Sequence, residues 1–98
     1  MITAFVMIDV EADRIPETAQ QISELDGVSE VYSVAGGDWD LIAIVRVMNH
    51  EDLAEVIPNH LNKVQGVVST TTNIAFRAFS QHDLEAAFSL GLESVSYT

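Results

Sequence analysis

Residues 26–47, DGVSEVYSVAGGDWDLIAIVRV, decide the fold. Ahead of GGDWD, Val28, Glu30, Tyr32 and Val34 alternate with Ser29, Val31, Ser33 and Ala35. A period of two over such a run predicts a strand across 28–35. Beyond GGDWD, the run LIAIVRV from Leu41 to Val47 is the most apolar in the chain, with Arg46 near its end, and predicts a central strand. The turn between them has the residues a hairpin needs: Gly36 and Gly37 for positive φ, aspartates that tolerate the bend, and Trp39 to pack at the corner.

The same unit recurs on both sides. Upstream, ITAFVMIDV at 2–10 is apolar on both faces and too short for an ordinary helix, which predicts a buried strand. A helix follows, with Asp13 as expected N-cap, Pro16 in the first turn, and Ile15, Ala19, Ile22 and Leu25 on one face; Gly27 stops it. Downstream, Asn49 is the expected cap of a second helix that buries Leu53, Val56, Ile57, Leu61 and Val64. Pro58 removes one i to i−4 bond there and predicts a kink or split near Ile57. Gly66 ends that helix, and VVSTTTNIAFRAF at 67–79 predicts a long last strand.

Ile22 and Leu61, Leu25 and Val64, and the Gly27-Val28 and Gly66-Val67 pairs all stand 39 residues apart. The chain repeats strand-helix-strand. Two such units predict an α+β, ferredoxin-like βαββαβ domain: a four-stranded antiparallel sheet in the order 4-1-3-2 with both helices on one face. The first and third strands are apolar on both sides, so the uncovered sheet face predicts a homodimer, with further assembly beyond it. The expected domain spans 1–79. Residues 80–98, SQHDLEAAFSLGLESVSYT, form an expected extension with Ser80 as N-cap, Asp83 three residues on, and a short C-terminal helix from about Gln81 to Leu90.

Composition excludes several functions. Fifteen acidic against four basic residues give a formal charge of −11, and Arg14, Arg46, Lys63 and Arg77 are scattered, so no direct nucleic-acid binding is expected. The same acidity serves solubility. With no cysteine, a disulfide framework and thiolate chemistry are ruled out. The opening MITAFVMID lacks a basic leader, and Asp9 ends it well short of the roughly 18 residues of a membrane span. A soluble, cytoplasmic protein is expected.

His50, His60 and His82 do not have metal-site spacing, and the chain shows no nucleophile elbow, no phosphate loop and no carboxylate pair in an apolar setting. No enzyme activity, metal or cofactor is expected. The enzymatic alternative, a small oxygenase or isomerase on the same fold, needs a polar cavity between sheet and helices, for which His60 is the one candidate.

Binding chemistry points to the turn. On an extended segment Asp38 and Asp40 share a side, beside the Gly36 and Gly37 amides. Carboxylates accept from an ammonium group and backbone N–H groups donate to a carboxylate, which suits a zwitterion. Thr70 and Thr72, within STTT at 69–72, share a face and add hydroxyls, although β propensity alone also accounts for threonines on an edge strand.

From Ile2 to Phe79 the chain resembles the effector-binding RAM domain of the Lrp/AsnC, or feast/famine, regulators. The resemblance lies in DGVSEVYSVAGGDWDLIAIVRV, EDLAEVI and QGVVSTTTNIAF, in that order and spacing. It implies dimers through the sheets, rings of dimers, and a small effector, commonly an amino acid, held between dimers. Carried over, it implies a ligand site at Gly37, Asp38, Trp39 and Asp40 in the turn and at Thr70 and Thr72 on the last strand. Family members with a DNA-binding part begin with a helix-turn-helix domain. This chain opens at the first strand, so it resembles the stand-alone form, which regulates through association or through mixed oligomers with full-length relatives. A partner that has lost its effector site is the remaining alternative.

Overall fold

In Ile2–Val10 (β1), Ala4, Val6, Ile8 and Val10 are buried while Phe5 is exposed and Met7 and Asp9 half-buried. This alternation sorts the strand into a helix-covered side and an open side. The computed structural model describes residues 1–79. The order is β1, helix α1 (Ile15–Ser23), β2 (Val28–Ser33), β3 (Leu41–Val47), helix α2 (His50–Val56) and β4 (Val67–Ile74). The sheet runs β2-β3-β1-β4 with every pairing antiparallel, which is the expected 4-1-3-2 order read from the other edge. The C-terminal helix expected over 81–90, and the extension 80–98 as a whole, lie outside the described residues.

Ala4, Val6, Ile8, Leu41, Ala43 and Val45 of the two central strands are fully buried against Ile22 and Leu61. Pro16 takes the first turn of α1, as expected, but Asp13 is not its cap. Arg14 N–H donates to the Glu11 carbonyl at 2.9 Å, so Asp13 sits inside a 3-10 turn over Ala12–Arg14, and Arg14 holds the cap position. At the start of α2, the Asn49 N–H donates to the Asp52 carboxylate at 3.2 Å.

Pro58 splits the second helix where its missing N–H predicts. Ile57 N–H still reaches the Leu53 carbonyl at 2.9 Å, α2 ends at Val56, and the chain resumes as a 3-10 turn over Leu61–Lys63. Leu61 therefore joins the core from that turn.

Two strands are shorter than their sequence suggests. β2 ends at Ser33 because Val34 N–H turns to the Asp40 carbonyl, at 3.0 Å, inside the connecting loop. β4 ends at Ile74, although Ala75 N–H still donates to the Thr3 carbonyl at 2.8 Å. The start of β4 is fixed by one close approach. Thr18, fully buried on α1, donates its hydroxyl to the Gln65 carbonyl at 2.9 Å, and Gly66 beside it has φ +101° and no room for a β-carbon.

The helices cover one face of the sheet. On the other lie Phe5 and Tyr32, exposed, and Met7, Ile42 and Ile44, half-buried. Among the described residues no helix is long and apolar enough to cross a membrane.

Candidate functional site

The β2–β3 turn reaches the end of the sheet where β1 finishes. Asp40 N–H donates to the Ile8 carbonyl at 2.9 Å, and an Asp40 carboxylate oxygen accepts from Val10 N–H at 2.9 Å. The Asp40 side chain thus continues the ladder that β3 has stopped supplying. Gly36 (φ +87°) and Gly37 (φ +79°) carry the bend, and nothing lies within 4 Å of where their β-carbons would be. Asp38 is exposed; Trp39 is half-buried.

Asp9, which the sequence reading passed over, stands next to this turn. The pairing Ile8 with Leu41 places Asp9 opposite Asp40 across β1 and β3, and Asp9 is also opposite Ser69 across β1 and β4. A hydrogen bond to the Asp40 carboxylate, helped by partial desolvation and by that group's charge, lifts the Asp9 carboxyl above its ordinary value of 3.8; a hydrogen bond with the Val10 backbone works against the rise. Two carboxyl groups thus lie side by side at the end of the sheet.

Thr70 and Thr72 fall elsewhere. They pair with Ile8 and Val6, both buried under the helices, so they belong to the helix side of edge strand β4. Thr70 donates its hydroxyl to the Asn62 side-chain oxygen at 2.9 Å, and Thr72 is exposed. The hydroxyls on the open side with Asp9 are those of Ser69 and Thr71, opposite Asp9 and Met7. Within one chain the candidate residues therefore form two groups: Gly37, Asp38, Trp39 and Asp40 at the turn, and Thr70 and Thr72 beyond β1 on the helix side of β4. The carboxylates of Asp38 and Asp40 are also unequal, since only Asp40 is committed to a backbone N–H.

His60, the residue on which an enzymatic cavity would depend, is exposed and lies 3.6 Å from Glu55, outside the layer between sheet and helices. Among the described residues no group of three or more histidine, aspartate or glutamate side chains is placed to hold a metal ion.

The ferredoxin-like sheet carries glycines and carboxylates at its β2–β3 turn. The family model of the Lrp/AsnC ligand binding domain matches residues 3–84, and the chain belongs to that family. The HTH-type transcriptional regulator PH1916 of Pyrococcus horikoshii is 38% identical over 77 residues, which cover 76% of this chain and 51% of that protein. The chain thus spans about half the length of the curated relatives it matches. Among solved structures, TTHA0845 from Thermus thermophilus is 42% identical with a TM-score of 0.77; the match covers 83% of this chain and 100% of that one. AsnC of E. coli shares the fold at 22% identity and a TM-score of 0.75, over 82% of this chain and 54% of its own.

Proposed function

We propose that this domain senses an amino acid or a similarly small zwitterionic metabolite, held between subunits of a homo-oligomer, and that occupancy regulates transcription or metabolism through the association state. One observation carries the reading: the β2–β3 turn stands beyond the end of β3, whereas Thr70 and Thr72 lie on the helix side of edge strand β4, with β1 between β3 and β4. A small ligand that touches both sets bridges two chains. The turn end offers carboxylates for an ammonium group and open glycine amides for a carboxylate, and Thr72 offers an exposed hydroxyl from a second chain. The apolar open face, with Phe5, Met7, Ile42 and Ile44, supplies the surface for the homodimer that such a bridge extends into a larger assembly. Because the relatives of known type are HTH-type regulators, mixed assemblies with DNA-binding family members are the natural route to an operator. The domain itself is too acidic to bind one directly.

The test is calorimetric titration of the full chain with each of the twenty amino acids, with molar mass followed by light scattering. A ligand at a hundred times its Kd adds about 2.7 kcal/mol of stability, and binding is expected to raise the molar mass. Asp38→Asn and Thr72→Val each remove a bond to a charged partner, worth about 1.5–3 kcal/mol, and so weaken binding about tenfold to a hundredfold. No binding heat and no mass change from any amino acid, with the protein folded, overturns the proposal.

A further inference from the structure

On the helix side, at the end of the sheet away from the β2–β3 turn, a groove of about 250 Å³ lies between the α1–β2 connection, the end of β3 and α2. Its floor is apolar. Val47 and Val56 form it, and Gly27 lets the chain lie directly on both: a β-carbon there would come 2.8 Å from a Val56 methyl and 3.3 Å from a Val47 methyl. Met48 forms one wall and is 68% exposed, which leaves bare apolar surface beside a formed hollow. The rim is acidic: Asp26 stands on the connection, Asp52 and Glu55 on α2, and no lysine or arginine lines the groove. Asp52 accepts from the Asn49 N–H at 3.2 Å and Glu55 from the Asn59 side chain at 3.0 Å, bonds that leave both charges in place. His60 stands 3.6 Å from Glu55, and Asp26 has no ion pair among the described residues.

An apolar hollow ringed by carboxylates is complementary to a segment that carries an apolar side chain between cations. A second copy of this chain does not supply one. Arg14, Arg46, Lys63 and Arg77 are scattered singly, and a net charge of −11 repels an acidic rim. The curated relatives are HTH-type transcriptional regulators, and DNA binding demands clustered lysine and arginine.

We propose that this groove docks a cationic, apolar segment of a DNA-binding partner protein, with an apolar side chain seated on Val47, Met48 and Val56 and flanking lysines or arginines on Asp26, Asp52 and Glu55. The inference rests on the mixed-assembly reading above and gives it a contact surface, separate from both the turn and the open face.

The test uses the full chain, isotope-labelled for amide resonances, with no amino acid present, so that its outcome is independent of the effector site. The probe is the end-capped peptide KKLLKK; KKGGKK carries the same charge without the apolar pair. KKLLKK is expected to shift the amides of Gly27, Met48 and Val56 and to bind about tenfold more tightly than KKGGKK. Met48→Ser is expected to remove most of that difference, and Glu55→Lys to weaken KKLLKK about fivefold to tenfold. Glu17→Lys makes the same change of charge in the first turn of α1, at the other end of that helix from Gly27, and is expected to leave binding within about twofold. Equal affinity for the two peptides, shifts spread over the acidic surface, or equal weakening by Glu17→Lys and Glu55→Lys overturns the proposal. Groove amides that move on dilution of the chain alone put a second copy there and overturn it as well. Groove-localised binding of KKLLKK to a chain that responds to no amino acid supports the docking and overturns the effector reading alone.

Discussion

Gly66→Ala is the substitution whose cost the structure defines most closely. At φ +101°, an alanine takes up left-handed strain of about 1–2 kcal/mol. Its β-carbon would also come within 2.2 Å of the Thr18 hydroxyl oxygen, which is fully buried and donates to the Gln65 carbonyl. Displacing that hydroxyl leaves a buried donor without a partner, which costs about 1–3 kcal/mol more. The sum is about 2–5 kcal/mol. At about 4–8 °C per kcal/mol for a domain of this size, the melting temperature falls by on the order of 10–40 °C. Gly36→Ala is the internal control, since Gly36 has φ +87° with nothing within 4 Å of its β-carbon position. It incurs the strain alone, about 1–2 kcal/mol. Urea unfolding at one fixed chain concentration measures both, and Thr18→Ala closes a double-mutant cycle by removing the group that the new methyl strikes. In that background Gly66→Ala is expected to cost no more than Gly36→Ala. Equal costs in the parent chain, or an excess that persists without the Thr18 hydroxyl, would refute the close-approach argument.

Two further substitutions probe the open face. Asp9 has a raised carboxyl pKa because it hydrogen-bonds to the Asp40 carboxylate, so the folded state holds a proton that the unfolded chain has already released above 3.8. Stability attributable to this pair is therefore highest in acid, falls as pH rises through the window between 3.8 and the raised value, and is lowest above it. Asp9→Asn keeps the hydrogen bond without the charge. The variant is expected to melt higher than the parent at pH 7 and to lose that advantage near pH 3, and a difference that does not change with pH contradicts the raised pKa of Asp9. Ile44→Lys places a charge in the middle of the open face, opposite Phe5. Light scattering should show the proposed dimer replaced by a folded monomer, whereas unchanged mass removes this face from the assembly.

Much of the fold was legible because apolar periodicity reports which side of an element is covered. LIAIVRV needed only its composition to be read as a central strand, and it forms β3, paired on both sides, with Leu41, Ala43, Val45 and Val47 buried. Pro58 was legible for a different reason: a missing N–H breaks a helix in any context, and α2 stops two residues before it. Cap and strand ends were harder to read. Asp13 is a good N-cap by type, yet the bond from Arg14 to Glu11 closes a tighter turn first, and no local preference announces which of two competing turns forms. β2 stops early because Val34 finds its partner in Asp40, and that pairing depends on how the glycine turn folds back.

The candidate site depended on register, which a sequence does not state. STTT alternates whichever pair faces inward, and a shift of one residue exchanges Thr70 and Thr72 for Ser69 and Thr71. The register shift near Val10 settles the matter. Asp9 pairs with Ser69 and Val10 with Val67, so Val68 is left over as an exposed bulge, and Thr70 falls opposite Ile8 on the helix side. Asp9 escaped notice for the same reason. In ITAFVMIDV it reads as the polar end of a strand, and only the pairing of β1 with β3 brings it to a carboxylate 31 positions away. That parity bears on function. Had Thr70 and Thr72 shared the open face with the turn, one chain would have held every group the family resemblance assigns to the ligand. They lie on the helix side of β4 and on the far side of β1, so on the proposed reading a ligand that needs both sets requires two chains. Under the proposed function, binding and assembly are one equilibrium: each ligand bound is a contact between subunits, and each such contact completes a site.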